Sequence, residues 1–140
     1  MEIFIIPLLA WALAQGGKFL SKLGKNAKFR LTDLLDYGGM PSSHAAIVAS
    51  LCTLIGLRQG LNSPLFGITL IFSLFIIHDA LRLRNLLQEH SKILNQLRRL
   101  LFASSSDNVP VNEKIGHTLA EVIVGLVLGV ALTLAINRFF

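Results

Sequence analysis

Residues 37–57 read YGGMPSSHAAIVASLCTLIGL, and they carry no charge unless His44 is protonated. A bilayer core asks for roughly 20 apolar residues per helix, and this stretch meets that demand. Three further stretches of the chain are also free of Lys, Arg, Asp and Glu: residues 3–17, 59–78 and 122–137. Residues 59–78 are long enough outright. Residues 3–17 and 122–137 span if their polar ends enter the headgroup zone or face a polar cavity. Backbone inside lipid must satisfy its own hydrogen bonds, so each stretch is read as a helix.

The remainder of the composition agrees. Of 140 residues, 53% are hydrophobic and only 15% charged, and the mean hydropathy is +0.63. A soluble domain of this size needs more polar surface to cover its core. Residues 1–140 are therefore expected to form a single integral membrane domain, all-α, with four transmembrane helices and an amphipathic cytoplasmic or interfacial helix. The lone cysteine, Cys52, allows no disulfide within one chain. Residues 3–14 also resemble the apolar part of a signal peptide, with Ala12-Leu13-Ala14 like a cleavage site. The basic start of such a peptide is missing, and a retained first span is expected.

Four spans leave connections at residues 18–36, at the turn 60–64, and at 79–114. All of the 13 Lys and Arg residues except Arg58 and Arg138 fall in the first and third of these. The excess of basic residues places both in the cytoplasm and the termini outside. Phosphate-binding cations would create the same bias. Within the long connection, Leu86, His90, Ile93, Leu97 and Leu100 recur at steps of four and three, with Leu87, Leu94 and Leu101 beside them. This predicts an amphipathic helix over residues 83–101 lying on the membrane surface, with a dimerising coiled coil as the other use of the pattern. Residues 103–110 are then a loop, and Asn112 is a candidate N-cap for the last helix.

Chemistry concentrates where the second span opens, at Gly38-Gly39-Met40-Pro41-Ser42-Ser43-His44. Glycines permit a tight turn, Pro41 suits a first helical turn, and the free N–H groups of a helix start attract an anion. Ser42 and Ser43 add hydroxyls, and His44 adds a titratable ring. The plain alternative is a helix start with a capping serine. In the last span, His117 and Glu121 lie four apart and share a helical face. Glu121 can hold the imidazole in one tautomer and leave its other nitrogen as a nucleophile. Gly125 and Gly129 continue that face and permit close helix packing. Lys18 and Lys22 end the first span, and Asp79 and Arg84 follow the third. A lysine at a span end ordinarily snorkels. Even so, all four spans bring polar ends to one face, a setting suited to a phosphoryl group.

Taken with Asp79, Arg84 and the stretch Gly116-His117-Thr118-Leu119-Ala120-Glu121-Val122, the first motif resembles the divergent branch of the type 2 phosphatidic acid phosphatase superfamily, related to acid phosphatases and vanadium-dependent haloperoxidases. The resemblance covers nearly the whole chain. It implies metal-independent hydrolysis of a phosphate or pyrophosphate, lipid-linked in much of the superfamily. His117 would form a phosphohistidine, Glu121 would orient it, and His44 would protonate the leaving group. Gly39, Ser42 and Ser43 would hold phosphate oxygens. No cofactor is implied, and vanadate is expected only as a phosphate mimic.

The departures are specific. Ser43 stands for the motif glycine and Glu121 for an aspartate. Val111 stands where an arginine would precede the nucleophile by six, and Leu23 where a lysine would stand seven before Arg30. Lys18, Lys22 and Arg84 are the candidates for the missing charge. The superfamily core commonly has six helices, whereas four spans are read here. The partners expected are membrane lipid and a phosphorylated lipid substrate, with a homodimer possible and no nucleic acid. The location expected is a bacterial-type plasma membrane, with the site at the cytoplasmic face. Two other functions fit the same residues: a lipid-phosphate binder or transporter without turnover, and a structural membrane protein whose motif residues pack helices.

Overall fold

The computed structural model describes residues 2–23, 39–101, 110–113 and 116–139. Among these the fold is helical, without strands. In chain order the helices are α1 (Glu2–Leu23), α2 (Ser43–Gln59), α3 (Pro64–His78), α4 (Arg84–Leu101) and α5 (Leu119–Phe139), with a π-helical turn at Asp79–Leu83 joining α3 to α4. The expected loop at residues 103–110 lies, apart from Pro110, outside the described residues, as does most of the connection at 18–36.

Local chemistry sets several of these limits. Ser42 caps α2, its Oγ accepting from the Ala45 N–H at 3.4 Å. Gly60 ends that helix at φ 84°, and its N–H donates to the Gly56 carbonyl at 3.1 Å; the left-handed φ favours glycine. Ser63 caps α3 through the Phe66 N–H at 3.1 Å, with Pro64 in the first turn. The expected turn at 60–64 is thus present. Pro41, expected inside the first turn of α2, precedes the cap instead, because the serine two residues before His44 takes the capping role.

The central helix is α2, which packs against α1, α3 and α5, while α1 also touches α5. Small side chains make this possible. Ala10 and Ala14 of α1 meet Ala46 of α2, with Leu128 and Leu132 of α5 packed around them. Gly125 and Gly129 sit against α2 so closely that an added Cβ would strike the carbonyl oxygens of Ser42 and Ala46. Buried hydroxyls also join helices: Ser50 Oγ lies 2.8 Å from Thr133 Oγ1, and Ser73 Oγ donates to the Val48 carbonyl at 3.5 Å. Small residues and polar bridges of this kind hold helices together where lipid removes the hydrophobic drive between them.

The outside of the bundle is apolar. Phe4 is 74% exposed, Phe75 70% and Val127 62%, a surface that suits lipid and not water. Among the described residues three helical stretches are long and apolar enough to cross a membrane: Ile3–Leu20, one within Pro64–Leu101, and Leu119–Phe139. The central helix α2 has 17 residues, about 26 Å at the α-helical rise.

The third connection differs from its expected form. Instead of a break after the third span, Pro64–Leu101 is one helical run of 38 residues, about 57 Å long by the helical rise. Along α4 the expected apolar stripe is bare: Leu86, Leu87, Ile93, Leu94, Leu97 and Leu100 are all exposed, whereas Ser91 and Asn95 are buried. The chain itself covers the polar side. Asn95 donates to the Val111 carbonyl and accepts from the Val111 N–H, both at 2.9 Å, and also donates to Glu113 Oε1 at 2.7 Å. Gly116 lies against Asn85 with no room for a Cβ. Val111 and Gly116 thus lie against Asn95 and Asn85, positions about 15 Å apart along α4.

Candidate active site

His117 lies two residues before the start of α5. The last helix begins at Leu119, later than an Asn112 cap would place it. Its first turn is closed by Thr118 and Glu121: Glu121 N–H donates to Thr118 Oγ1 at 3.3 Å, and Thr118 N–H donates to Glu121 Oε2 at 3.1 Å. This is a reciprocal capping box, which calls for Glu or Gln three residues after the capping hydroxyl. The same Oε2 lies 2.9 Å from His117 Nδ1. His117 thus stands just outside the helix rather than on its face, and still meets Glu121. The box also explains the glutamate at this position, since an aspartate is too short to close it.

A ring nitrogen facing a carboxylate carries the proton. His117 Nδ1 therefore donates its proton to Glu121. The ring is 1% exposed, and Nε2 is buried without a hydrogen-bond partner. An unsatisfied buried polar atom costs about 1–3 kcal/mol, and so commonly marks a place held ready for a ligand.

His44, in the first turn of α2, lies edge-on to His117 with ring centroids 6.3 Å apart. Backbone links hold the two helix starts together: Ser42 N–H donates to the Glu121 carbonyl at 2.9 Å. His44 Nδ1 is likewise buried without a partner, while Nε2 lies 3.4 Å from Arg84 Nη2.

Arg84 reaches His44 because of the π turn. Its N–H closes the turn on the Asp79 carbonyl, and its Nε lies 3.2 Å from Asp79 Oδ2. Residues five apart diverge by about 140° on an α-helix but fall near one face when the turn widens to the i→i+5 pattern. Asp79 therefore steadies Arg84. From α1, Lys18 is 8% exposed and its Nζ donates to Ser43 Oγ at 3.2 Å.

Most of the sequence-derived site thus converges. Lys18, Ser43, His44, Asp79, Arg84, His117 and Glu121 are joined by the contacts above. Ser42 is 0% exposed, and its Oγ serves as the helix cap. Gly39 takes φ 94° in the turn before α2, next to Lys18, and the Met40–Pro41 peptide bond is cis. The Lys22 side chain and Gly38 lie outside the described residues. Val111, where the superfamily arginine would stand, is clamped beside Asn95, eleven positions along the helix from Arg84, or about 16 Å. A cation there could not serve the histidines. The sequence reading missed the Asn95 clamp and the Thr118 cap. The second was legible as a Thr-x-x-Glu pattern; the first carries no local signature.

Comparison with known proteins points the same way. Residues 1–132 match the family described as the divergent PAP2 family. The chain is also 34% identical over 117 residues, 74% of this chain and 73% of the relative, to "Uncharacterized membrane protein YuiD" of Bacillus subtilis (strain 168). No solved structure matches. With the motif at residues 38–44, the His–Glu pair and the helical core all falling inside the matched region, the chain belongs to the divergent PAP2 family.

Proposed function

We propose that this protein is a membrane phosphatase that cleaves a phosphate or pyrophosphate, lipid-linked, through a phosphohistidine. The observation that carries the reading is His117: a fully buried imidazole, its Nδ1 proton held by Glu121, its Nε2 bare, and a second histidine alongside. Nε2 attacks phosphorus, and the bond from phosphorus to the leaving oxygen breaks. That oxygen keeps the electron pair and takes a proton from His44. Water then attacks the phosphohistidine, releasing phosphate and restoring Nε2. Glu121 stabilises the charge that develops on the His117 ring. Lys18 and Arg84 supply positive charge toward the phosphoryl oxygens, with Lys22 a further candidate. Ser43 and the Gly39 backbone add donors, and Asp79 keeps Arg84 in place.

The membrane arrangement follows the charges. In this reading α1, α2, α3 and α5 all cross the bilayer, with α2 at the centre shielded by its neighbours. The site faces the cytoplasm, and α4 lies with its bare leucines on lipid. Its Lys92, Arg98 and Arg99 suit anionic headgroups.

The test is phosphate release by the purified protein across lipid and soluble phosphate esters and diphosphates, with His117→Ala as control. Vanadate should inhibit by occupying the phosphate position, and chelators should have no effect. Tight binding of a lipid phosphate without release would identify a binding or transport protein instead.

A further inference from the structure

The contact between Arg84 and His44 has a chemical constraint. A guanidinium only donates hydrogen bonds, and so does an imidazolium. Arg84 Nη2 can therefore face His44 Nε2 at 3.4 Å only while His44 is neutral, with its proton on Nδ1. A neutral ring of that form cannot serve as a general acid, because losing its single proton would leave an imidazolate. The Arg84 contact thus favours the form of His44 that is wrong for the proposed chemistry.

Charge balance explains why. The groups facing His44 are Lys18 from α1, Asp79 from the π turn, Arg84 from the start of α4, and His117, which is backed by Glu121 of α5. The first turn of α2 carries no acidic residue. Asp79 is paired with Arg84, and Glu121 is engaged with His117 and Thr118. Among the described residues two cations face two carboxylates, and a third cation at His44 would find no further carboxylate there, which is costly in a partly buried site. A phosphoryl dianion brings the missing negative charge.

We propose that Arg84 is a transferable ligand: it keeps His44 neutral through this contact, turns onto an anion when one binds, and thereby couples anion binding to proton uptake at His44 Nε2. The proton comes from solvent. The hydrogen bond from Arg84 Nη2 to Nε2 is exchanged for one to an anion oxygen, and His44 becomes an imidazolium. After it protonates the leaving oxygen, His44 is neutral again and can take Arg84 back. This inference rests on the phosphoryl reading of the site, and it adds a step that makes His44 an acid only when substrate is present.

Sulfate is the suitable probe, since it remains a dianion near neutral pH and takes up no proton itself. Calorimetric titration of the detergent-solubilised protein in two buffers of different ionisation enthalpy counts the protons exchanged. The expected result is uptake of about one proton per sulfate, with an affinity that falls by up to roughly tenfold per pH unit above the His44 transition. His44→Gln should bind sulfate with no uptake and a flat pH profile. In wild-type protein carrying 15N-histidine, His44 Nε2 should change from bare to protonated when sulfate is added, a readout that needs no variant. Sulfate binding without proton uptake, uptake that persists in His44→Gln, or an unchanged Nε2 signal would each overturn this inference and leave the phosphatase reading standing. Failure of the wild-type protein to bind sulfate would remove the anion site, and both readings with it.

Discussion

Gly125→Ala tests the contact on which the site is built. A Cβ at this position would strike the Ser42 carbonyl oxygen and lie 2.9 Å from Ala45 Cβ, against an ordinary contact of 3.4 Å or more. The Ser42 carbonyl is backbone and already accepts from the Ala46 N–H at 3.1 Å, so it cannot swing aside. Relief requires α2 and α5 to part by at least about 0.5 Å, the shortfall at Ala45 alone, with overpacking of this kind costing about 1–3 kcal/mol. The separation falls beside the Ser42–Glu121 backbone bond, and so between His44 and His117. Misplacement by 1 Å can cost on the order of 10²-fold in rate, so turnover should drop by about tenfold or more. Gly129→Ala, which meets Ala46, Ala49 and Ser50 one turn deeper, should cost similar stability and less turnover. Gly67→Ala, with nothing within 4 Å of its Cβ, should be neutral or slightly stabilising, because alanine is the better helix former. Thermal melting in detergent and phosphate release measure the two effects. If Gly125→Ala melts and turns over like wild type, the close approach of α2 and α5 described above is wrong.

Other perturbations address the remaining parts of the site. His117→Ala should abolish turnover for want of another nucleophile, and phosphate release that survives it would refute the phosphohistidine. His44→Ala should cost roughly 10²–10⁴-fold on substrates with poor leaving groups and much less on activated esters. Glu121→Gln keeps the capping box but loses the charge on the His117 ring, so it should melt near wild type and turn over slowly. Glu121→Asp loses the box as well and should melt lower, with a cap worth about 0.5–2 kcal/mol; equal melting of the two variants would count against the shared role of Oε2. For sidedness, a cysteine at exposed Lys92 should react with an impermeant maleimide only after cells are opened. Labelling of intact cells would reverse the orientation.

Much of this protein is legible from local sequence. Charge-free stretches separate membrane helices from connections because lipid penalises every unpaired charge and backbone group, whatever the neighbours do. The helix start at Ser42 and the contact between His117 and Glu121 are local too, since caps and short spacings depend on bonds a few residues apart, although His117 stands before α5 rather than on its face. The stripe on α4 was visible for the same reason.

What only the tertiary structure decided are the joints between elements. The π turn after α3, which brings Arg84 to Asp79 and to His44, shifts hydrogen bonding by one residue without any marker in the sequence. The clamp of Asn95 on Val111 joins residues 16 apart, and the Lys18–Ser43 bond joins residues 25 apart. Such pairs are selected by packing, not by spacing. The same packing places α2 at the centre, where the small surfaces of Ala46, Gly125 and Gly129 let three helices approach. It thereby decides which of the many polar residues at the membrane edge share a site with the two histidines.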